Sequence, residues 1–278
     1  MALAEQDIDS AETRASGSSF YTAMRILPRA QREAMFEIYS FCRAVDDIAD
    51  DPGERAGRQD RLNAWRSGIA AVYGGIPPRN LRGLAEAISR FGMRQEDFLA
   101  VIDGMEMDVV DDIRAPDANT LDLYCDRVAS AVGRLSVKVF GMNELDGLSL
   151  AHNLGRALQL SNILRDIDED ASIGRLYLSR DVLSAAGIET SDPRQAVDHP
   201  AIGKACAPIV ARAREHFRRA DEVMDRTPRA VVKAPRIMAE AYKSILDALV
   251  ARGFAAPRTP VKLSKPYLLW ILARYAIV

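Results

Sequence analysis

The sequence predicts an all-α fold, a bundle of helices with a polar site built between facing helices. Three observations carry this expectation. Nearly every long segment of the 278 residues repeats its apolar positions at helical spacing, and no alternating β-run of useful length intervenes. The breaks between segments carry helix-stopping punctuation: Gly74-Gly75-Ile76-Pro77-Pro78, Ala115-Pro116-Asp117, Asp192-Pro193 and Ala256-Pro257. Two acidic clusters, Asp46-Asp47-Ile48-Ala49-Asp50-Asp51 and Asp166-Ile167-Asp168-Glu169-Asp170, fall in different halves of the chain, as an interior site built by facing helices requires.

Taken in order, residues 1–15 are polar and acid-leaning, without the basic start and apolar core of a signal peptide. They read as a flexible leader ahead of a single domain over 16–278. Pro28 suits the first position of a helix, whose core stripe is Met35, Ile38, Cys42 and Val45 and which Pro52-Gly53 stops. Further helical patterns run over 57–73, 79–91, 95–109, 120–140, 145–171, 201–226, 230–252 and 266–277, with Gly174 just beyond the segment 145–171. No repeat of solenoid period stands out. The apolar end, Tyr267 to Val278, is shorter than the roughly 20 residues that cross a bilayer. A last helix packed on the core is expected there. The alternative is a peripheral membrane contact with Trp270 and Tyr275 at headgroup level.

Composition narrows the function. A chain that is 48% hydrophobic and 27% charged is ordinary for a soluble globular protein, and a formal charge of −2 supplies no basic field for a nucleic-acid partner. Cys42, Cys125 and Cys206 form neither a metal-ligand spacing nor a disulfide framework, which favours a reducing cytoplasm, with membrane association at its inner face as the alternative.

The acidic clusters are costly where they stand. Residues four apart on a helix lie about 40° apart around the axis and about 6 Å along it, so Asp46 with Asp50, and Asp166 with Asp170, present carboxylates from one face. Like charges at that spacing cost a few tenths of a kcal/mol, and near a helix C-terminus the macrodipole adds about 0.3–1 kcal/mol for each anion. Tyr39, Arg43, Asp46 and Asp50 share an arc of about 60°, and Gln159, Asn162, Asp166 and Asp170 one of about 80°. Polar stripes on otherwise apolar helices face either water or an occupied cavity. All-oxygen donors suit Mg²⁺, which characteristically bridges one or two carboxylates to a substrate's phosphates. Other chemistries lack their residues. There is no Glu-x-x-His, P-loop, dinucleotide fingerprint or nucleophile elbow, and His152, His199 and His216 are isolated in sequence.

Ser18-Ser19-Phe20-Tyr21, Tyr39-Ser40-Phe41-Cys42-Arg43-Ala44-Val45-Asp46-Asp47 and Gln159-Leu160-Ser161-Asn162-Ile163-Leu164-Arg165-Asp166 together resemble the squalene/phytoene synthase family. Tyr124-Cys125-Asp126-Arg127-Val128-Ala129 and Gly174-Arg175-Leu176-Tyr177 extend the resemblance over nearly the whole chain after residue 15. Within the family, the stretches Phe20–Pro28 and Arg32–Asp51 look most like the bacterial branch that makes presqualene diphosphate for hopanoids. The resemblance implies an isoprenoid-synthase-type helical bundle with a deep central cavity. It implies head-to-head condensation of two farnesyl diphosphates, dependent on Mg²⁺ (or Mn²⁺) and without a requirement for NADPH. It further implies that Asp46, Asp50, Asp166 and Asp170 hold the metal, with Asp47 and Glu169 as weaker ligands. Arg43, Arg165, Tyr39, Gln159 and Asn162 then contact diphosphate or the metal's shell, while Ser19, Arg175, Tyr177, Tyr242 and Arg258 complete the polar mouth. Tyr124 is the candidate for steering a proton toward the departed diphosphate, and Ala129, Ala131 and Gly133 are candidates for shaping the cavity. One departure stands at the N-terminal motif, where Ser16, Gly17 and Ser18 replace the basic residue many relatives carry. The rival readings are a phytoene synthase using geranylgeranyl diphosphate, a full NADPH-dependent squalene synthase, a head-to-tail elongase, a non-catalytic prenyl-lipid carrier and a structural helical protein.

Overall fold

In a computed structural model, residues 23–110 and 113–276 are described, and among them every element of length is helical. The leader, the N-terminal motif with Ser19, and Asp111-Asp112 lie outside the described residues. The helices are α1 Arg29–Asp50, α2 Arg55–Tyr73, α3 Arg82–Phe91, α4 Gln95–Val110, α5 Ala118–Cys125, α6 Ala131–Phe140, α7 Glu144–Arg165, α8 Ile167–Ser172, α9 Arg180–Ala185, α10 Pro193–Val197, α11 Ile202–Arg226, α12 Arg229–Arg252 and α13 Lys265–Ala276. One short parallel bridge joins Arg114 to Leu176, with Leu176 N–H donating to Ile113 O at 2.8 Å and Ala115 N–H to Leu176 O at 2.9 Å.

Four boundaries differ from the sequence expectation. Pro28 is extended (φ −51°, ψ 149°) and caps α1 rather than occupying its first turn. The single helix expected over 120–140 is split by a π-helical turn, Asp126–Ser130. The helix expected over 145–171 breaks at Asp166 (φ −97°, ψ 13°), which ends α7 and starts α8. The two short helices α9 and α10 were not expected at all, since one or two turns carry too few apolar positions to show a period.

The core has two parts. One gathers α1, α2, α3, α4 and α6, with Phe41 edge-to-face against both Trp65 (5.5 Å between centroids) and Phe98 (5.2 Å). The other gathers α5 and α7–α11, and α12 contributes a face to each. Val128 of the π turn, Leu158 of α7 and Tyr242 of α12 pack against both. The first acidic motif thus belongs to one half of the core and the second to the other, with the seam between them. Helix α7 is buried on nearly every side, against α11, α6, α12 and the π turn. At the C-terminus Ile271 is fully buried while Leu269 and Trp270 stand out, so α13 packs by one face only. No helix among the described residues is long and apolar enough to cross a membrane.

Small residues set the approach of α7 to the chain opposite. A Cβ on Gly155 would lie 2.7 Å from Ser130 Cα, 2.8 Å from Ser130 N and 2.9 Å from Ala129 C. Gly133 meets Ala151 Cα at 3.0 Å in the same way, and Ala131 is fully buried. Gly133 therefore serves helix-to-helix contact rather than the cavity wall expected of it. Because backbone atoms cannot rotate aside as a side chain does, Gly155→Ala is expected to cost about 3 kcal/mol, read as a lowered midpoint in urea unfolding monitored by circular dichroism.

Candidate active site

The last turns of α1 carry the first motif. Arg43 donates to Asp46 at 2.7 Å and to Asp47 at 2.6 Å, the i+3 and i+4 contacts that a continuous helix permits. The second motif straddles the break. Arg165 forms a two-pronged pair with Asp166 at 2.7 and 2.6 Å and also reaches Tyr242. Asp166 accepts the Asp170 N–H on its carbonyl at 2.8 Å, so the turn persists across the break although the helix axis does not. Asp170 stays close enough to Asp166 for the two carboxylates to repel each other. Asp168, Glu169 and Asp170 also stand in the first turn of α8, where the helix dipole favours anions, rather than near a C-terminus as the sequence suggested.

Arg175 joins the two motifs. Its side chain is 11% exposed and donates to Asp50 Oδ1 at 2.7 Å and to Ala49 O at 3.0 Å, while its own N–H donates to Asp170 O at 2.9 Å. Asp50 on α1 and Asp170 on α8 therefore look into one chamber. A buried acid that the sequence did not single out completes it. Asp108 of α4 accepts from Tyr177 Oη at 2.7 Å and Tyr124 Oη at 3.0 Å, and the two rings stack at 4.9 Å. A signal for it existed: Asp108 follows Val101 and Met105 at i, i+4 and i+7, so it sits on a buried stripe where an acid needs partners.

Charge crowding shows in the acids. Burial, with repulsion from Asp50, pushes the Asp46 carboxyl up to about 6 despite Arg43, and Asp108 adds to it. Burial, with repulsion from Asp166, pushes Asp170 up to about 8 despite Arg175, and Asp108 again contributes. Burial raises Asp108 as well, opposed by Arg175 and by the Tyr177 and Tyr124 hydroxyls. Burial lifts both Tyr124 and Tyr177 far above the usual phenol value, so each holds its proton. Asp108 thus lies near enough to Asp46 and Asp170, one acid from each motif, to repel both.

The remaining expected residues divide. Tyr39 lies on α1 within the field of Arg43 and Asp46, and burial raises its hydroxyl. Asn162 and Gln159 face each other on α7, Asn162 Nδ2 donating to Gln159 Oε1 at 3.4 Å, and Asn162 Oδ1 is buried with no partner. Asp47 is held by Arg43, and Glu169 is exposed on the outer turn of α8. Arg258 is not at the mouth. Its side chain is 1% exposed and is taken up behind α8 by Asp168 and by two carbonyls. A shallow crevice open to solvent, about 170 Å³ in all, is lined by Ile163, Ile167, Asp170, Arg175, Leu176, Tyr177 and Leu178. Ligand pockets usually run to roughly 300–1,000 Å³, so this crevice beside Asp170 and Arg175 is not the room for two prenyl chains. A wider hollow of about 310 Å³ near Arg94, Arg134 and Lys138 contains no motif acid, and Arg134 and Arg94 there are paired with Asp97 and Glu144. His152 and His216, isolated in sequence, meet edge to face at 5.8 Å on α7 and α11. The three cysteines are free.

Raised carboxyl pKa values stabilise the fold only while the acids stay protonated. That contribution is complete below the ordinary value of 3.8 and is lost as pH rises through about 6 for Asp46 and about 8 for Asp170. In chelator, Asp170→Asn is therefore expected to raise the melting temperature, with a gain that grows from pH 5 to pH 8.5 and then levels off. Discounted for solvent screening, the growth is on the order of 1–2 kcal/mol, or about 2–4 °C, measured by differential scanning fluorimetry.

Known proteins resemble the chain over nearly its whole length. The family model described as squalene/phytoene synthase matches residues 13–267. A presqualene diphosphate synthase of Rhodopseudomonas palustris is 63% identical over 264 residues, covering 95% of this chain and 95% of that protein. One of Zymomonas mobilis is 51% identical over 279 residues, covering 99% and 96%. The crystal structure of a dehydrosqualene synthase in complex with ligand superposes with a TM-score of 0.82 at 23% identity, covering 96% of this chain and 94% of that one, a likeness of fold.

Proposed function

Because the chain belongs to the squalene/phytoene synthase family, we infer that it is a prenyltransferase that joins two farnesyl diphosphates head to head. The products are presqualene diphosphate and diphosphate, feeding squalene and hopanoid formation. The observation that carries this reading is Arg175 spanning Asp50 and the Asp170 segment, which supports a single chamber shared by both acid motifs.

Mg²⁺ is the proposed cofactor, with Mn²⁺ as the alternative. The donors fit a hard divalent ion: Asp46, Asp50, Asp166 and Asp170 offer oxygen only, and Asn162 Oδ1 is buried and unclaimed. Among the described residues no three donors converge closely enough to hold an ion unaided, since arginines occupy the carboxylates. Substrate phosphate oxygens and water therefore belong to the ligand set. When bound, the ion neutralises negative charge growing on the departing diphosphate.

The chain's own groups account for the rest. Arg43, Arg165 and Arg175, freed from their aspartates, turn to the diphosphates, where guanidinium forks match phosphate oxygens. In the first substrate the allylic C–O bond breaks and its electron pair leaves with diphosphate. The double bond of the second substrate then attacks the resulting cation, and loss of a proton closes a cyclopropane. Apolar walls protect the cation from water. Tyr124, protonated and fixed by Asp108 and Tyr177, directs the lost proton toward the departed diphosphate, which acts as base. No reductant enters, so the reaction ends at presqualene diphosphate.

With farnesyl diphosphate and Mg²⁺ but no NADPH, mass spectrometry is expected to find presqualene diphosphate. Asp46→Asn and Asp166→Asn are each expected to lower turnover at least about 10³-fold with circular dichroism unchanged. Phytoene as the sole product from geranylgeranyl diphosphate, or squalene formed only with NADPH, would replace this reading by one of its rivals.

A peripheral contact at the inner membrane face is also proposed, through α13. Leu269 is 65% and Trp270 49% exposed, Tyr267 stacks on Trp270, and Arg274 lies over both Trp270 (5.3 Å) and Tyr275 (5.6 Å). Exposed aromatics beside a cation suit the headgroup zone. Co-sedimentation with phosphatidylglycerol-containing vesicles is expected to fall several-fold in Leu269→Ser/Trp270→Ala; unchanged sedimentation overturns the contact.

A further inference from the structure

Helix α8 has six residues and no side-chain cap, too short to hold its own orientation in water. Its carboxylates nevertheless have to be aimed. Ile167 and Ala171 are buried beneath it, and Arg175 grips it from the chamber side. Asp168 and Asp170 are two positions apart and so point about 200° apart around the axis. Asp168 faces backward, and there Arg258 forms a fork on it: Nε to Oδ2 at 2.8 Å, and Nη2 to Oδ1. The same guanidinium donates through Nη1 to Phe254 O at 2.7 Å and to Val197 O at 2.9 Å, with Asp198 at 3.8 Å. Its side chain is 1% exposed, whereas that of Asp168 is 48% exposed. A buried fork anchored to the end of α10 and to the segment after α12 thus holds α8 from behind.

We propose that Arg258 and Asp168 are a positioning pair, which acts through α8 to fix the rotation of Asp166 and Asp170 for the divalent ion and the diphosphate. The inference rests on the function proposed above. Neither residue touches substrate. Their role follows from the helix they lock, in the way that outer partners of metal ligands typically tune affinity or activity 10–100-fold. Lysine in place of Arg258 keeps the charge but cannot make the two-pronged contact.

The test uses the full chain. Mg²⁺ is titrated at fixed excess inorganic pyrophosphate, reading the rise in melting temperature, and separately against turnover of farnesyl diphosphate. Asp168→Asn is expected to raise both Mg²⁺ midpoints about 10–100-fold and to regain most of its kcat at saturating metal. Arg258→Lys is expected to fall between it and the parent, and Asp168→Glu, which restores a carboxylate, to stay within about threefold of the parent. A midpoint for Asp168→Asn within twofold of the parent overturns the proposal, whatever that variant's own melting temperature, because the pair is then a stability element alone. If the parent protein itself shows no response to Mg²⁺ with pyrophosphate, the proposed function fails and this inference fails with it.

Discussion

Anionic carboxylates drawn into a shared, partly buried volume repel one another, and this repulsion, held in check by arginines, organises the site. Asp46, Asp50, Asp108, Asp166 and Asp170 come from three parts of the chain, and Asp108 raises the protonation of acids in both motifs. Each motif brings its own arginine, Arg43 or Arg165, and Arg175 spans the gap. These pairs set a guanidinium against a carboxylate in each motif and across the gap between them. Under the proposed function, a divalent ion on the acids and diphosphate on the arginines would replace one set of pairs by another.

The fold supplies the seam that this exchange needs. One half of the core carries α1 and the first motif, and the other carries α7, α8 and the second, with Val128, Leu158 and Tyr242 in contact with both. Helix α7 is central and buried, so it cannot shift without disturbing α6, α11 and α12 together. The close approach at Gly155 presses it against the π turn. That turn is an irregularity of the kind found where a helix must present side chains off its regular period. Tyr124 lies just before it, stacked on Tyr177 and bonded to Asp108.

Much of this was legible in the residues. Helical spacing and Gly/Pro punctuation located the long helices to within a few residues, because burial of one face enforces the period. The acidic stripe of α1 was readable because that helix is continuous from Arg29 to Asp50. The break at Asp166 inside the second motif was not readable, because a change of backbone angle at one residue leaves no trace in spacing. Arg258 drew attention as a cation near a polar mouth, yet its partner is 90 positions away on the far side of α8. Asp108 was passed over for the opposite reason: a lone acid looks like solvent-facing charge until its neighbours are shown to be buried.

Local chemistry thus determined the helical class, the oxygen-only character of the donors and the pairing of each motif with its own arginine, since all three depend on residues within a turn or two of each other. Tertiary packing alone decided that Arg175 reaches Asp50, that Asp108 joins Tyr124 and Tyr177, and that Arg258 braces α8 instead of lining the chamber. Those contacts join residues 16 to 125 positions apart. Their existence depends on how the two halves of the core meet, which no pattern of spacing along the chain encodes.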